Sequence, residues 1–545
     1  MNETQLLRRW AIGLALCLTL NQSPSLLSSA HADTGSLGQV LAQRVDAQKH
    51  ASLPVDAFYQ QLDYELVWQE VSRVEALVNA LKSLEDDGLL PSDYHADTLL
   101  DAFHNSQQAG SSAQVDFDMK ATAALLLALD HLSRGKVSPK EVEPDWDIPR
   151  PERSYALLRV VHAVQNNDIE DALTAARPAS AEYAHLRDAL SQYRRLASQG
   201  SVPYLAGRDD ALRPGDTHDD VRVLRQRLAY WGNANLLSAD SSAYPMIGVQ
   251  SAVSDPRTFD TELEHAVRNF QRRHQLQVDG IVGERTRLAL NTPISSRIDQ
   301  LRVNLERARW IEPSQNGPRV WVDIAGYRLH YIRPNGEHWD ARVVVGTPQR
   351  ETPIIHSAIS HLTINPSWTI PPTIMREDVL PQVRRDPGYL ARHNIQVLST
   401  SGERLDADSI DWQRPGGVML RQVAGGANPL GRVVVRFPNS EMIYLHDTPA
   451  RGLFQRNQRA LSSGCVRVEG VREFAQLLLQ DSGSRYQLSN LLNSSGSDRN
   501  VNLPQRIPVA LHYLTAWPDA QGNVEFRDDV YRRDAVLLAA LSQAA

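Results

Sequence analysis

The stretch RALSSGCVRVEG, residues 459–470, holds one of only two cysteines in a chain of 545 residues; the other is Cys17. A lone cysteine is either a small buried hydrophobe or a reactive thiol. An unperturbed thiol, with a pKa of about 8.5, is only a few per cent thiolate at neutral pH, so a nucleophile needs a base or a cation beside it. His446, in MIYLHDTP, is the candidate base. Gly464 allows a turn in which amide N–H groups point at a developing oxyanion. Arg467 offers a fixed cation to a substrate carboxylate. Cysteine, histidine and an N–H-rich turn are the components of acyl transfer through a thioester.

These residues need elements to hold them. Alternation in MIYLH puts Met442, Tyr444 and His446 on one strand face. Downstream, Val471, Phe474, Ala475, Leu478 and Leu479 recur at i, i+3, i+4, i+7 and i+8, the buried face of a helix. Cys465 therefore sits in a glycine turn shortly before a helix N-terminus, where the dipole can favour a thiolate. From Arg319 the pattern is strand-like: RVWVDIAGYRLHYI, HWDARVVVG, SHLTINPSW, then RVVVRF and MIYLH as a hairpin about Pro438-Asn439-Ser440. Between Trp368 and Trp412 the strand pattern stops. An unstranded, proline-rich insertion of this length in a β domain points to a functional lid. His356 and His361, five apart, read as solvated surface. There is no HExxH and no compact ligand cluster, so no metal is expected.

The rest of the chain is scaffold and export machinery. Net charge is −7, which gives no footing for nucleic acid. Arg8 and Arg9 precede a short apolar run and a small-residue site at Ala30 and Ala32, so residues 1–32 read as a signal peptide, with an uncleaved anchor as the alternative. No later run is long enough to span a bilayer, so the mature chain is expected to carry no membrane span. Residues 33–210 read as a helical scaffold, with Val71, Val74, Val78 and Leu81 on one face and a second apolar pattern over Ala121–Leu132. In 211–293, Val221, Leu224 and Leu228 form one helix face and Leu263, Ala266, Val267 and Phe270 another, before an Asp279-Gly280 turn and a short helix at Thr286–Leu290. Residues 294–318 read as a helix, with Ile298, Leu301 and Leu305 aligned, and a linker, returning to the scaffold. Residues 319–545 form the β domain, with its insertion at about 369–413.

The region 211–293 resembles the small three-helix peptidoglycan-binding module, apart from a long segment at 238–256. Whether that module binds glycan or only scaffolds is open. His446, followed after a loop by Ser462-Ser463-Gly464-Cys465-Val466-Arg467, resembles the signature of the L,D-transpeptidase catalytic domain. VVVGTPQRETPI at 343–354 and Asn428-Pro429-Leu430-Gly431 support the likeness. The whole is similar to the long periplasmic branch, which has a helical scaffold, a peptidoglycan-binding insertion and a capping insertion. Most members have histidine where Ser463 stands; the long branch does not. The resemblance implies a multidomain α+β protein whose last domain is mostly β. It implies attack by Cys465 on the L-centre carbonyl of diaminopimelate in a tetrapeptide donor, loss of D-Ala and a 3–3 cross-link. His446 would be the base, oriented by the backbone carbonyl of Asp447, with the carboxylate as a possible substitute. The N–H groups of Gly464 and Cys465 would form the oxyanion hole. Substrate contacts would come from Arg467, Ser462, Ser463, Tyr444 and Trp368. The implied partners are donor and acceptor stem peptides and other cell-wall synthases, with no cofactor. Carbapenem acylation of Cys465 and a periplasmic location are expected too. The other readings are a carboxypeptidase or lipoprotein-attaching variant of the same chemistry, or a non-catalytic wall-binding scaffold.

Overall fold

The computed structural model describes residues 37–544 except 48–52, 144, 145, 147, 149–151, 153, 154, 208, 233–254, 312–316, 387, 495 and 520. The signal peptide, most of the 238–256 segment and most of the 312–318 linker lie outside the described residues.

Residues 37 to about 198 are helical. The longest helix, Ser111–Arg134, is lined along its length by buried residues such as Val115, Leu125, Leu129 and Leu132, and the shorter helices wrap around it. Val74, Val78 and Leu81 are buried on the helix Val71–Ser83 as the spacing predicts, with Leu77 between them. Val71 is not: it opens the helix and is 41% exposed. Two later helices start at side-chain caps that satisfy free N–H groups: Ser180 accepts from Tyr183 N, and Asp260 from Leu263 N.

The small module consists of helices Asp219–Tyr230, Thr261–Arg273 and Glu284–Leu290, joined through Val221, Leu224, Leu263, Val267 and Phe270. Gly280, at φ +75°, makes the turn before the third helix, and Gln271 bonds its N–H at 2.9 Å. The helix Ile294–Trp310 then returns to the scaffold, and its Leu301 and Leu305 share a core with Tyr183, Leu186 and Leu190 of the helix Ala181–Ser198.

The strands follow: β1 Arg319–Asp323, β2 Arg328–Ile332, β3 His338–Gly346, β4 Ile355–Ile364, β5 Trp368–Thr369, β6 Ile395–Ser399, β7 Arg404–Leu405, β8 Val418–Gln422, β9 Val433–Arg436, β10 Leu445–His446, β11 Ala460–Ser462, β12 Val466–Val468, β13 Arg499–His512, β14 Ala516–Pro518 and β15 Val524–Phe526. Nine of them form one sheet in the order β11-β3-β12-β10-β9-β4-β13-β1-β2, and a further β2–β3 pairing closes it into a ring. Its core face carries Val433, Val435, Leu445, Val466 and Val468 against Phe474, Ala475, Leu478 and Leu479 of the helix Val471–Asp481.

Two expectations need correction. MIYLH is a strand only at Leu445–His446. Met442 has φ +55° and is 74% exposed, so it belongs to the turn and not to a strand face. The insertion is not unstranded either. β6 and β7 lie within it, and with β5 and β8 they form a separate four-stranded sheet, β5-β8-β6-β7. That sheet packs with Val379, Val383 and Leu390 into its own small core. The insertion's strands are short and separated by proline and glycine turns, which hid their alternation.

Candidate active site

The register of the large sheet places the site. β10 pairs in parallel with β12, with Leu445 opposite Val466 and His446 opposite Arg467. β9 pairs antiparallel with β10, with Val435 opposite Leu445 and Val434 opposite His446. Residues opposite each other share a face, and alternation reverses the face at each step. Leu445, Val435 and Val466 point into the core. His446, Arg467 and Val434 therefore point out the other side, as do their neighbours two residues along: Tyr444, Cys465 and Arg436.

Contacts agree with this placement. The rings of Tyr444 and His446 meet edge to face with centroids 5.7 Å apart. The Tyr444 hydroxyl reaches the Cys465 sulfur on one side and the Trp368 indole on the other. The thiol points toward the Met442 carbonyl, 3.9 Å away. Trp368, which opens β5, packs on the core of the insertion, so it joins that insertion to Tyr444.

His446 is buried, and its Nδ1 lies 2.6 Å from the backbone carbonyl of Asp447. A carbonyl only accepts, so this contact favours the tautomer with the proton on Nδ1 and the lone pair on Nε2, with the Pro429 backbone also acting on the ring. The Asp447 carboxylate is used elsewhere, accepting from Thr448 N at 2.9 Å and Arg432 N at 3.1 Å. Burial, then the Arg467 charge, pushes the imidazole pKa down to about 3. Burial also raises the Cys465 thiol, although Tyr444, Arg436 and Arg467 pull the other way. This corrects the expected dipole-favoured thiolate: β12 separates Cys465 from the helix at Val471, and desolvation dominates. The resting pair is a neutral thiol beside a neutral imidazole.

The turn before the cysteine is tied down from several directions. Gly464 has φ +109°, a conformation costly for any side chain. Its carbonyl accepts from Thr352 Oγ1 at 2.7 Å, and Thr352 is held in turn by Gly346 N and Tyr531. Ser462 is buried, donates to the Cys465 carbonyl at 2.6 Å and accepts from Gly464 N at 3.2 Å. Ser462 therefore braces the turn. Gly464 N–H is occupied, and of the two expected oxyanion donors Cys465 N–H alone is without a partner among the described residues.

Ser463 is exposed and receives a hydrogen bond from Arg350 Nη1 at 2.9 Å. Arg350 also holds Glu377 and Asp378 of the insertion, at 2.8 and 2.6 Å. Sequence reasoning missed Arg350, Thr352 and Arg436. The two-residue period of a strand puts Arg436 on the outer face once Val433 and Val435 are placed inside; Arg350 gave no local signal. Of the two histidines read as surface, His356 is exposed but its Nε2 lies 3.2 Å from that of buried His512. His361 is half-buried and stands opposite Arg436.

Comparison with known proteins gives three family matches. Residues 317–486 match the L,D-transpeptidase catalytic domain, 217–290 the family described as "Putative peptidoglycan binding domain", and 54–190 a scaffold domain. A "Putative L,D-transpeptidase" of Haemophilus influenzae is 38% identical over 242 residues, covering 44% of this chain and 49% of the relative, so the chain spans about half the length of that curated relative. Among solved structures, the L,D-transpeptidase (residues 123–326) of Xylanimonas cellulosilytica aligns at 16% identity with TM-score 0.19, over 56% of this chain and 100% of that one. A fused Zn-dependent amidase/peptidase/peptidoglycan-binding protein of Clostridium acetobutylicum aligns at 11% identity with TM-score 0.14, over the same shares.

Proposed function

We propose that this chain, whose residues 317–486 match the L,D-transpeptidase catalytic domain, is a cysteine-dependent transpeptidase of peptidoglycan stem peptides that acts outside the cytoplasmic membrane. Among the described residues no helix is long and apolar enough to cross a membrane. One observation carries the reading: a lone thiol shares a sheet face with an imidazole whose Nδ1–H is fixed on the Asp447 carbonyl, leaving Nε2 as the base.

The steps follow from the neutral pair. Cys465 attacks the L-centre carbonyl of diaminopimelate in a tetrapeptide donor while His446 Nε2 takes the thiol proton. Tyr444 OH steadies the sulfur as its charge develops. Cys465 N–H receives the oxyanion, and Gly464 N–H joins it if it leaves Ser462. The intermediate collapses with cleavage of the C–N bond. The proton on His446 goes to the departing D-Ala amine, leaving a thioester on Cys465. The side-chain amine of a second diaminopimelate then attacks, the C–S bond breaks, and the proton taken from the amine returns by way of His446 to the thiol. The product is a 3–3 cross-link. Arg467, half-buried and with no carboxylate partner among the described residues, faces the substrate side.

The test is intact-mass spectrometry after incubation with a carbapenem such as meropenem, beside D-Ala release from purified tetrapeptide. The wild-type chain is expected to gain one covalent adduct and to release D-Ala, and Cys465→Ser to do neither. A well-folded wild-type protein inert in both assays would leave the wall-binding scaffold as the reading. D-Ala release without dimer formation would make it a carboxypeptidase.

A further inference from the structure

Across β4, β9, β10 and β12 the outward side chains form a line. His361 stands opposite Arg436, and Val435 opposite Leu445, so Arg436 is level with Tyr444. Leu445 stands opposite Val466, so Tyr444 is level with Cys465. The Arg436 guanidinium carbon lies 4.8 Å from the centre of the Tyr444 ring, and Nε donates to Thr363 Oγ1 at 3.1 Å. Its plane is therefore fixed between a threonine and an aromatic face. Its two terminal nitrogens have no hydrogen-bond acceptor and no carboxylate within ion-pair distance among the described residues.

Arg307, Arg527 and Arg533, also in the neighbourhood of the catalytic domain, are each ion-paired with a carboxylate. Arg436 and Arg467 are not, and both act electrostatically on His446 and Cys465. Two half-buried cations act on one thiol from the two strands that flank β10. A cation in that state carries an unrecovered desolvation cost until an anion arrives.

We infer that Arg436, seated on Tyr444, forms a subsite for a substrate carboxylate and selects donors that carry one near the scissile carbonyl. The inference rests on the transpeptidase reading for the identity of the donor, although the anion preference itself does not. A guanidinium presents parallel N–H donors that match a carboxylate in two-point contact, and the ring beneath holds it in place. Two carboxylates of the donor lie close enough to serve: that of the departing D-Ala and that on the diaminopimelate side chain.

Alkylation of Cys465 tests the subsite without the natural substrate. Iodoacetate and iodoacetamide attack the same sulfur, so the ratio of their rates cancels the thiolate fraction and reports the field felt by an anion. Arg436→Ala is expected to lower the iodoacetate-to-iodoacetamide ratio roughly five- to tenfold, the order expected of one unit charge at partly solvated range. Arg436→Lys should restore part of it. With tetrapeptide donors, Arg436→Ala should raise KM about tenfold, the cost of one charged hydrogen-bonded contact. A donor amidated at the recognised carboxylate should bind both proteins equally, which tells the two carboxylates apart. An unchanged alkylation ratio, or equal losses on acid and amidated donors, would make Arg436 a support for Tyr444 only and overturn the subsite. A wild-type chain that releases no D-Ala would overturn the transpeptidase reading, while the alkylation ratio would still decide the subsite.

Discussion

At the scale of single residues the site is governed by burial. Cys465 and His446 are both desolvated, which disfavours thiolate and imidazolium alike, and the Arg467 and Arg436 charges lower the imidazole further. The ordinary imidazole pKa is about 6.5, and in this site it falls to about 3. The sign follows directly. Above that value the folded protein holds His446 neutral and able to accept, so the base is lost only in strong acid. The rate of Cys465 acylation by a carbapenem should therefore stay level from about pH 8 down to about pH 5, with no inflection near the ordinary histidine value. A half-maximal rate between pH 6 and 7 would mean that the imidazole is solvated or that the resting state is an ion pair. Folding responds in the same direction. The unfolded chain takes up protons at His446 and His512 below about pH 6.5 and the folded chain does not, so stability should fall as pH drops through that range. Cys465 and His446 could be picked out as a candidate pair in the sequence, because a lone cysteine beside a glycine and a histidine closing an alternating run are local signals. Their ionisation was not legible. It depends on how many layers of protein cover the pair, and the nearby helix start at Val471 suggested the opposite sign.

At the scale of elements, the nucleophile turn and the capping insertion meet in one side chain. Arg350 bridges Ser463 to Glu377 and Asp378. These two carboxylates sit on a π-turn, Met375–Val379, and such turns are frequent at functional positions. Trp368 makes the second link, through Tyr444. The insertion has its own sheet and core, so it can move as a unit if those links open. Arg350→Ala is expected to speed amide hydrogen exchange over residues 372–385 and to raise the share of acyl-enzyme lost to water a fewfold. Global stability should change by no more than about 1 kcal/mol, as expected for a largely solvent-facing ion pair. Unchanged exchange together with an unchanged hydrolysis-to-transfer ratio would sink the latch. The large sheet could be read from the β-branched runs VWVD, RVVV and VVVR. The insertion's sheet could not, because β5 and β7 are two residues each and pair with β8 and β6, neither of which carries a clear alternating pattern.

At the scale of the molecule, the helix Ile294–Trp310 joins the parts. On one side Glu306 accepts from Val137 N at 2.7 Å and from Arg309 at 2.7 Å, and Arg309 in turn donates to Tyr183 OH at 3.0 Å. On the other side Asn304 bonds Thr515, and Arg307 pairs with Asp534 at 2.5 Å. The scaffold and the catalytic domain are thus fastened to opposite faces of one helix. A second chain of charges runs from Glu143 through Arg533 to Glu351, whose carbonyl lies against Gly464. The aligned Leu301 and Leu305 foretold the helix and its return to the scaffold. The buried charges opposite them could not be foreseen, since an i,i+3 Glu–Arg pair usually marks a solvated face. Both Glu306 and Arg309 are almost fully buried. Glu306→Ala leaves the guanidinium of Arg309 without its carboxylate and strips Val137 N of its acceptor, which should cost about 3–5 kcal/mol. Glu306→Gln keeps the acceptor for Val137 N but not the charge, and should cost less. In calorimetry the wild-type scaffold and catalytic domain are expected to melt together, because the helix that joins them belongs to both cores. In Glu306→Ala the scaffold should melt first, as a separate transition, while Cys465 below that temperature still takes up a carbapenem. A single transition with an unshifted midpoint would mean that the buried pair is not what holds the two units together, and that the Asn304, Arg307 and Arg533 contacts bear the coupling instead.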